Sequence, residues 1–210
     1  MKILSVVGTR PNFMKLAPLA REFTRRGVVD HVIVHTGQHY DTAMSGSFFD
    51  DLEIPLPSHH LAVGSDTPAV QIGAIMMRLD PVLEREKPDV ILVYGDVNST
   101  LAAAICAAKR EIRVAHVEAG LRSRDRTMPE EVNRIVTDQL ADLLFAPSPD
   151  AVDNLRAEGI PAARVHFVGN VMIDVLVSML PRAREADHPS RLGLSAAPYA
   201  ARDRAPHASM

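Results

Sequence analysis

The sequence predicts an α/β protein, a Rossmann-like parallel sheet with helices on both faces, and three observations carry that prediction. Short apolar runs alternate with segments of helical periodicity from Ile3 to about residue 180, the rhythm of strand–helix–strand units. The run Val90–Tyr94 is apolar on both faces, as a strand buried between two helical layers must be. Several of the strand-like runs lead into polar loops, and open parallel sheets bind ligands beyond the carboxyl ends of their strands.

Taken in order, Ile3–Val7 reads as the first strand, closed by Gly8. Pro11 sits where a first helical turn tolerates it. Leu16, Leu19, Ala20 and Phe23 then recur at helical spacing, and Gly27 closes the helix. Val32–Val34 is the second strand. His59 and His60 read as loop residues ahead of a strand-like Leu61-Ala62-Val63. Over 68–86, Ile72, Ile75, Met76, Leu79 and Leu83 share one helical face. After Val90–Tyr94 come a helix over 97–109, a strand over 113–117, and a helix from about residue 130 with Val132, Ile135, Val136 and Leu140 aligned. Leu143–Ala146, a helix over 149–157 and a strand over 165–168 make one more unit. Met172, Val175, Leu176 and Met179 mark a final helix. Residues 1–180 are thus expected to form one domain, and 181–210 a linker and tail rich in Ala, Arg and Pro.

Composition narrows the function. Of 210 residues, 47% are hydrophobic but only 4% aromatic, so the core is aliphatic. Lys and Arg number 23 against 26 Asp and Glu, a net charge of -3; a non-specific nucleic-acid binder needs a basic surplus to displace counterions. The longest unbroken hydrophobic run, Leu101–Ala108, is far short of a bilayer span. Ser5 and Gly8 interrupt the N-terminal apolar stretch before a signal-peptide core can form. No membrane contact and a cytoplasmic location are expected. The single cysteine, Cys106, reads as a small buried hydrophobe in a helix.

The chemistry is expected on the rim formed by Gly8–Asn12, Thr36–Tyr40, Gly95–Asn98 and Glu118–Arg122. The first loop has one glycine, and strand two ends without a carboxylate. The G-x-G-x-x-G fingerprint is therefore missing, as is G-x-x-x-x-G-K-[ST]. No cofactor is predicted. Arg10 and Lys15 open a helix, where they and the helix amides suit a diphosphate; the alternative for Lys15 is a solvated helix face. Asp96 is either a functional carboxylate or a helix cap. Glu118 ends an apolar strand, where a carboxylate must be paired, and the structural alternative is a pair with Arg122. His116, two residues back, is expected on the same side of that strand. Thr127 and Glu130 have capping-box spacing, which leaves Glu131 as the chemical candidate, with Asn133 and Arg134 behind it. His39, His59, His60 and His116 lack metal-ligand spacing, so no metal is predicted.

Six segments in order carry a resemblance: Gly8-Thr9-Arg10-Pro11, Thr36-Gly37-Gln38-His39, Gly95-Asp96, His116 to Arg122, Arg126 to Arg134, and Gly169 to Asp174. Together they resemble the non-hydrolysing UDP-N-acetylglucosamine 2-epimerases. The resemblance implies the N-terminal half of a two-domain architecture like that of the B-type glycosyltransferases. It also implies interconversion of UDP-N-acetylglucosamine and UDP-N-acetylmannosamine by elimination and re-addition of UDP through 2-acetamidoglucal. The family's catalytic carboxylates fall on Asp96, Glu118 and Glu131. Arg10 and Lys15 match positions near the diphosphate and sugar, and Gln38 and His39 belong to a family motif. Arg122, Asn133 and Arg134 complete the expected substrate-binding set. The partners implied are a UDP-sugar and, for full-length members, a second copy in a homodimer.

Two departures from the family pattern stand out. Arg124 occupies a loop position where the family often has an aromatic residue. After Pro198-Tyr199 the expected apolar strand and His-Arg-x-x-Asn motif do not follow, so the expectation is a truncated or frameshifted frame with impaired turnover. Translating the downstream nucleotides in the other two frames tests this, and finding no second domain there would sink it. The rivals are a hydrolysing epimerase, a glycosyltransferase of the same architecture, and an inactive sugar-nucleotide-binding fragment.

Overall fold

The computed structural model describes residues 1–37 and 49–186, together with Ser190 and Gly193. Gln38 and His39 lie outside the described residues, as does the chain from residue 194. The elements in chain order are β1 (Lys2–Val7), α1 (Arg10–Arg26), β2 (Asp30–His35), β3 (His59–His60), α2 (Pro68–Glu86), β4 (Val90–Tyr94), α3 (Asn98–Lys109), β5 (Arg113–Val117), α4 (Pro129–Leu140), β6 (Leu143–Ala146), α5 (Pro149–Ala157), β7 (Val165–Phe167) and α6 (Val171–Glu185). The seven strands form one sheet in the order β3-β2-β1-β4-β5-β6-β7, every pair parallel. Met1–Val175 makes one compact unit; a second begins at Leu176, and its described part is chiefly the later turns of α6.

Period-2 alternation divides the core into two layers. Leu4, Val6, Val32, Val34, Ile91, Val93, Val114 and Leu144 face one layer with Ile75, Leu79 and Leu83 of α2 and the alanines of α3. Their neighbours Val7, Ile33, Leu92 and Val117 are buried outside that cluster, as are Phe13, Leu16, Ala17 and Ala20 of α1. Helices α2, α3 and α4 pack in sequence against one another, while α1 packs on β1 and β4. The winding reverses between β1 and β4. Their C-terminal ends therefore open the crevice in which such sheets bind ligands.

Turn chemistry sets the element ends. Gly27 caps α1 at φ 64°, its amide donating to the Phe23 carbonyl. Cys106 is buried as expected, and burial pushes its thiol up to about 11. Three expectations are corrected. His59 and His60 are not loop but the edge strand β3, paired with Val34 and His35; Leu61 and Val63 lie beyond the strand and pack into the core. Helix α4 starts after Met128, and the Thr127 hydroxyl donates to Asp125 instead of joining a capping box with Glu130. The apolar stripe on α4 is not its most buried face. Met128 and Val132 are 38% and 37% exposed and Ile135 and Val136 half-buried, whereas Glu131, Asn133, Thr137 and Asp138 are buried. Only Leu140 of that stripe packs on the core cluster.

Gly120 is the backbone position that tolerates no side chain. Its φ is +84°, and an added Cβ would lie 2.4 Å from the Ala151 carbonyl oxygen and 2.9 Å from Leu155 Cγ. The left-handed conformation alone costs a non-glycine residue about 1–2 kcal/mol, and the backbone clash adds to it. Gly120→Ala should therefore destabilise the fold by about 2–4 kcal/mol. Urea unfolding measures this, and a loss below about 0.5 kcal/mol would contradict the packing described.

Candidate active site

The site is built from the C-terminal rim inward. The loop after β1 is stitched to the end of β4 by Asn12. Its amide oxygen accepts the Gly8 and Thr9 backbone amides at 3.2 and 3.3 Å, and its amide nitrogen donates to the Tyr94 carbonyl at 2.9 Å. Arg10 opens α1 in an exposed position. One turn further, Lys15 is not on a solvated face. It is 7% exposed and its Nζ donates to Glu118 Oε1 at 2.6 Å.

Glu118 takes φ +72°, the left-handed region. Alternation along β5 points Val114 and His116 toward the α4 side; at Glu118 the backbone breaks that pattern, and the carboxylate meets Lys15 of α1. For a residue with a Cβ this costs about 1–2 kcal/mol. Gly95 leaves the space that the ammonium uses, since a Cβ there would sit 2.6 Å from Lys15 Nζ. The structural alternative of a Glu118–Arg122 pair is not what forms. The Arg122 guanidinium instead pairs with Asp138 Oδ2 at 2.7 Å and Glu158 Oε2 at 2.6 Å, and donates to the Leu121 carbonyl.

Asp96 does not cap α3, whose capping position is Val97. Its carboxylate pairs with the Arg134 guanidinium, and that same guanidinium reaches Glu131 Oε2 at 3.0 Å. Two of the three candidate carboxylates thus share one cation. Asn133 holds the same loop, donating to the Asp96 carbonyl at 2.8 Å and to Asn98 Oδ1 at 3.1 Å. Glu131 is 1% exposed and accepts the Ser123 and Arg124 amides, each at 2.9 Å. Burial alone would push its carboxyl up, but those amides and Arg134 outweigh it and hold the group at about 2. Asp96, Glu118, Glu131, Lys15, Asn133 and Arg134 are therefore brought together, while Arg122 is turned into the scaffold.

Below them lie residues that sequence reasoning left unassigned. Asp138 is wholly buried and receives His116, Gly120 and Arg122; Asn154 donates to the Gly120 carbonyl at 3.0 Å. The signal for Asp138 was present as Glu131, Arg134 and Asp138 at positions i, i+3 and i+7 of one helix, a polar face. Among the described residues no three His, Cys, Asp or Glu side chains gather as metal ligands, and no helix is long and apolar enough to cross a membrane.

The sequence profile of the UDP-N-acetylglucosamine 2-epimerase family matches residues 21–199. The chain belongs to that family. It is 49% identical over 180 residues to a UDP-N-acetylglucosamine 2-epimerase homolog of Methanococcus maripaludis, covering 86% of this chain and 50% of the relative. It is 45% identical over 185 residues to UDP-2,3-diacetamido-2,3-dideoxy-D-glucuronate 2-epimerase of Pseudomonas aeruginosa, covering 87% of this chain and 52% of that enzyme. Among solved structures, the UDP-GlcNAc 2-epimerase of Methanocaldococcus jannaschii, in complex with UDP-GlcNAc and UDP, superposes with a TM-score of 0.87 at 43% identity; the match covers 91% of this chain and 53% of that one. A lipopolysaccharide outer core galactosyltransferase shares the fold alone, with a TM-score of 0.57 at 16% identity. The chain spans about half the length of the relatives it matches.

The low Glu131 value fixes a pH dependence. Its folded value of about 2 lies below the ordinary 4.5, so folding favours the ionised form. That stabilisation is complete above about pH 4.5 and is lost as pH falls through about 2. Glu131→Gln should lower stability at pH 7 and flatten its decline between pH 5 and pH 3. Urea titrations at each pH test this; a mutant curve parallel to the wild type would contradict it.

Proposed function

We propose that this chain carries the catalytic rim of an epimerase that interconverts UDP-N-acetylglucosamine and UDP-N-acetylmannosamine. The observation that carries the reading is the rim itself: three carboxylates, two from loops and one from the first turn of α4, paired with Lys15 and Arg134 at the crevice between β1 and β4. The family membership and the UDP-sugar in the related structure support the substrate class.

The hydrogen on the carbon bearing the acetamido group has no adjacent carbonyl to acidify it. Epimerisation there proceeds by loss of the proton and departure of UDP, giving 2-acetamidoglucal, followed by re-addition with the proton delivered to the opposite face. That sequence requires a base, an acid and cations for the departing diphosphate. Glu131 is held ionised by three donors, which suits it to fixing Arg134. Asp96 and Glu118, each bound through a cationic side chain, are the groups assigned to proton transfer. Arg10, Lys15 and Arg134 are the cations assigned to the diphosphate, and Gln38 and His39 stay in the proposed substrate-binding set. The reaction needs no redox cofactor. The enzyme is assigned to the cytoplasm. Its full-length form is assigned as a homodimer.

Incubation with UDP-N-acetylglucosamine in D2O tests the proposal, with deuterium at C2 and UDP-N-acetylmannosamine as readouts. Asp96→Asn and Glu118→Gln should each slow exchange by about 10²–10⁴-fold. The 45% identical relative makes UDP-2,3-diacetamido-2,3-dideoxy-D-glucuronate the second substrate to assay. Relatives are about twice as long; turnover by this chain alone is expected to be slow, and a near-normal rate would overturn that expectation. Free N-acetylmannosamine would favour a hydrolysing epimerase. Binding without exchange would leave a sugar-nucleotide-binding module, and no binding at millimolar UDP-sugar would sink the proposal.

A further inference from the structure

Among the described residues, Asp138 and His116 form a fully buried pair that the proposed chemistry does not use. Both side chains have no solvent exposure. His116 Nε2 faces the Gly95 carbonyl at 2.8 Å and His116 Nδ1 faces Asp138 Oδ1 at 2.7 Å. A carbonyl only accepts, so Nε2 must carry a proton. Burial alone would push the Asp138 carboxyl up, but His116 and Arg122 outweigh it and hold it below its ordinary value. Nδ1 and Oδ1 are close enough to share a proton, so both ring nitrogens are engaged in hydrogen bonds.

The other oxygen of Asp138 accepts the Gly120 amide at 3.0 Å and pairs with Arg122 at 2.7 Å. Arg122 is itself tied to Glu158 just beyond α5. One carboxylate thereby links α4 to three places on the rim. Gly95 adjoins Asp96. His116 and Gly120 bracket Glu118, whose left-handed turn needs support from its surroundings. Glu131 lies two turns back on the same face of α4.

We propose that Asp138, acting through His116, is a positioning residue that sets the Gly95–Asp96 loop and the Glu118 turn in one register. It does not touch the reacting sugar. It fixes where two carboxylates stand relative to each other, and a misplacement of about 1 Å can cost about 100-fold in rate. The inference rests on the proposed function only for its ligand-binding consequence.

Asp142 supplies the control. Its carboxylate accepts the Val114 amide at 2.8 Å, at the opposite end of β5 from the rim, so Asp142→Asn costs structure without touching the site. With isotope-labelled chain, the nitrogen shifts of the His116 ring should move in Asp138→Asn and stay unchanged in Asp142→Asn. Asp138→Asn should also shift the amides of Gly95, Asp96, Glu118, Ala119 and Gly120, and weaken UDP-N-acetylglucosamine binding about tenfold. Asp142→Asn should lower the melting temperature and leave those amides and that affinity unchanged. If Asp138→Asn does not fold, His116→Gln replaces it, because it cuts the link to Gly95 while sparing the bonds to Gly120 and Arg122. Rim amides unmoved in the folded variant, or a His116 ring unaffected by Asp138→Asn, overturn the proposal. If the wild type binds no UDP-sugar, the function reading fails alone, and the amide and ring-nitrogen measurements still decide the positioning role.

Discussion

A carboxylate at the end of a buried parallel strand has to be met by a cation or by several hydrogen-bond donors, and the rim of this protein is organised by that requirement. Lys15 meets Glu118, Arg134 meets Asp96 and Glu131, and His116 and Arg122 meet Asp138. Each cation comes from a different element than the carboxylate it serves, apart from the Arg134–Glu131 pair within α4. The pairs therefore act as cross-braces. Helix α1 is tied to the end of β5, and α4 to the ends of β4 and β5.

That requirement explains why the most buried residues of α4 are polar while its apolar stripe is only partly covered. A helix lying over the middle of a sheet gains by burying Leu and Ile. Helix α4 reaches the rim and covers Asp96, the Asn98 amide and His116, all of which need polar partners. Periodicity in sequence identifies which residues share a helix face but not which face is inside. Here Val132 is exposed and Ile135 and Val136 are half-buried, while Glu131, Asn133, Thr137 and Asp138 are buried.

The same limit separates what could be read from the chain and what could not. The sheet and most helices were legible because their ends carry punctuation with a mechanism, such as Gly27 at α1 and the proline that opens α2. The two-residue strand His59–His60 is too short to have a period, so only pairing with β2 defines it. The carboxylates Asp96, Glu118 and Glu131 were legible as candidates because each follows or leaves a strand in a polar loop. Their partners were not. The expectation that Glu118 shares a side with His116 assumes extended backbone, and φ +72° at Glu118 removes it. Arg122 is close to Glu118 in sequence yet is drawn to Asp138 and Glu158. Asp138 passed as one more polar residue on an amphipathic helix because its partners are distant in sequence.

The braces differ in how firmly they hold, and the difference bears on chemistry. Glu131 is gripped by two backbone amides, which move only if the loop moves. Asp138 is fixed by a ring, a backbone amide and a guanidinium with no solvent access. Glu118 is bound at one oxygen by an ammonium on a flexible four-carbon stem, and Asp96 by a guanidinium already shared with Glu131. A lysine stem can re-aim its charge at low cost, whereas backbone donors cannot. The rim thus combines a fixed part, Glu131 and Asp138, with a part whose cations can turn toward another anion in the crevice. Rigid support under exchangeable charge is what a site needs if its carboxylates are to stay in place while their counter-ions change.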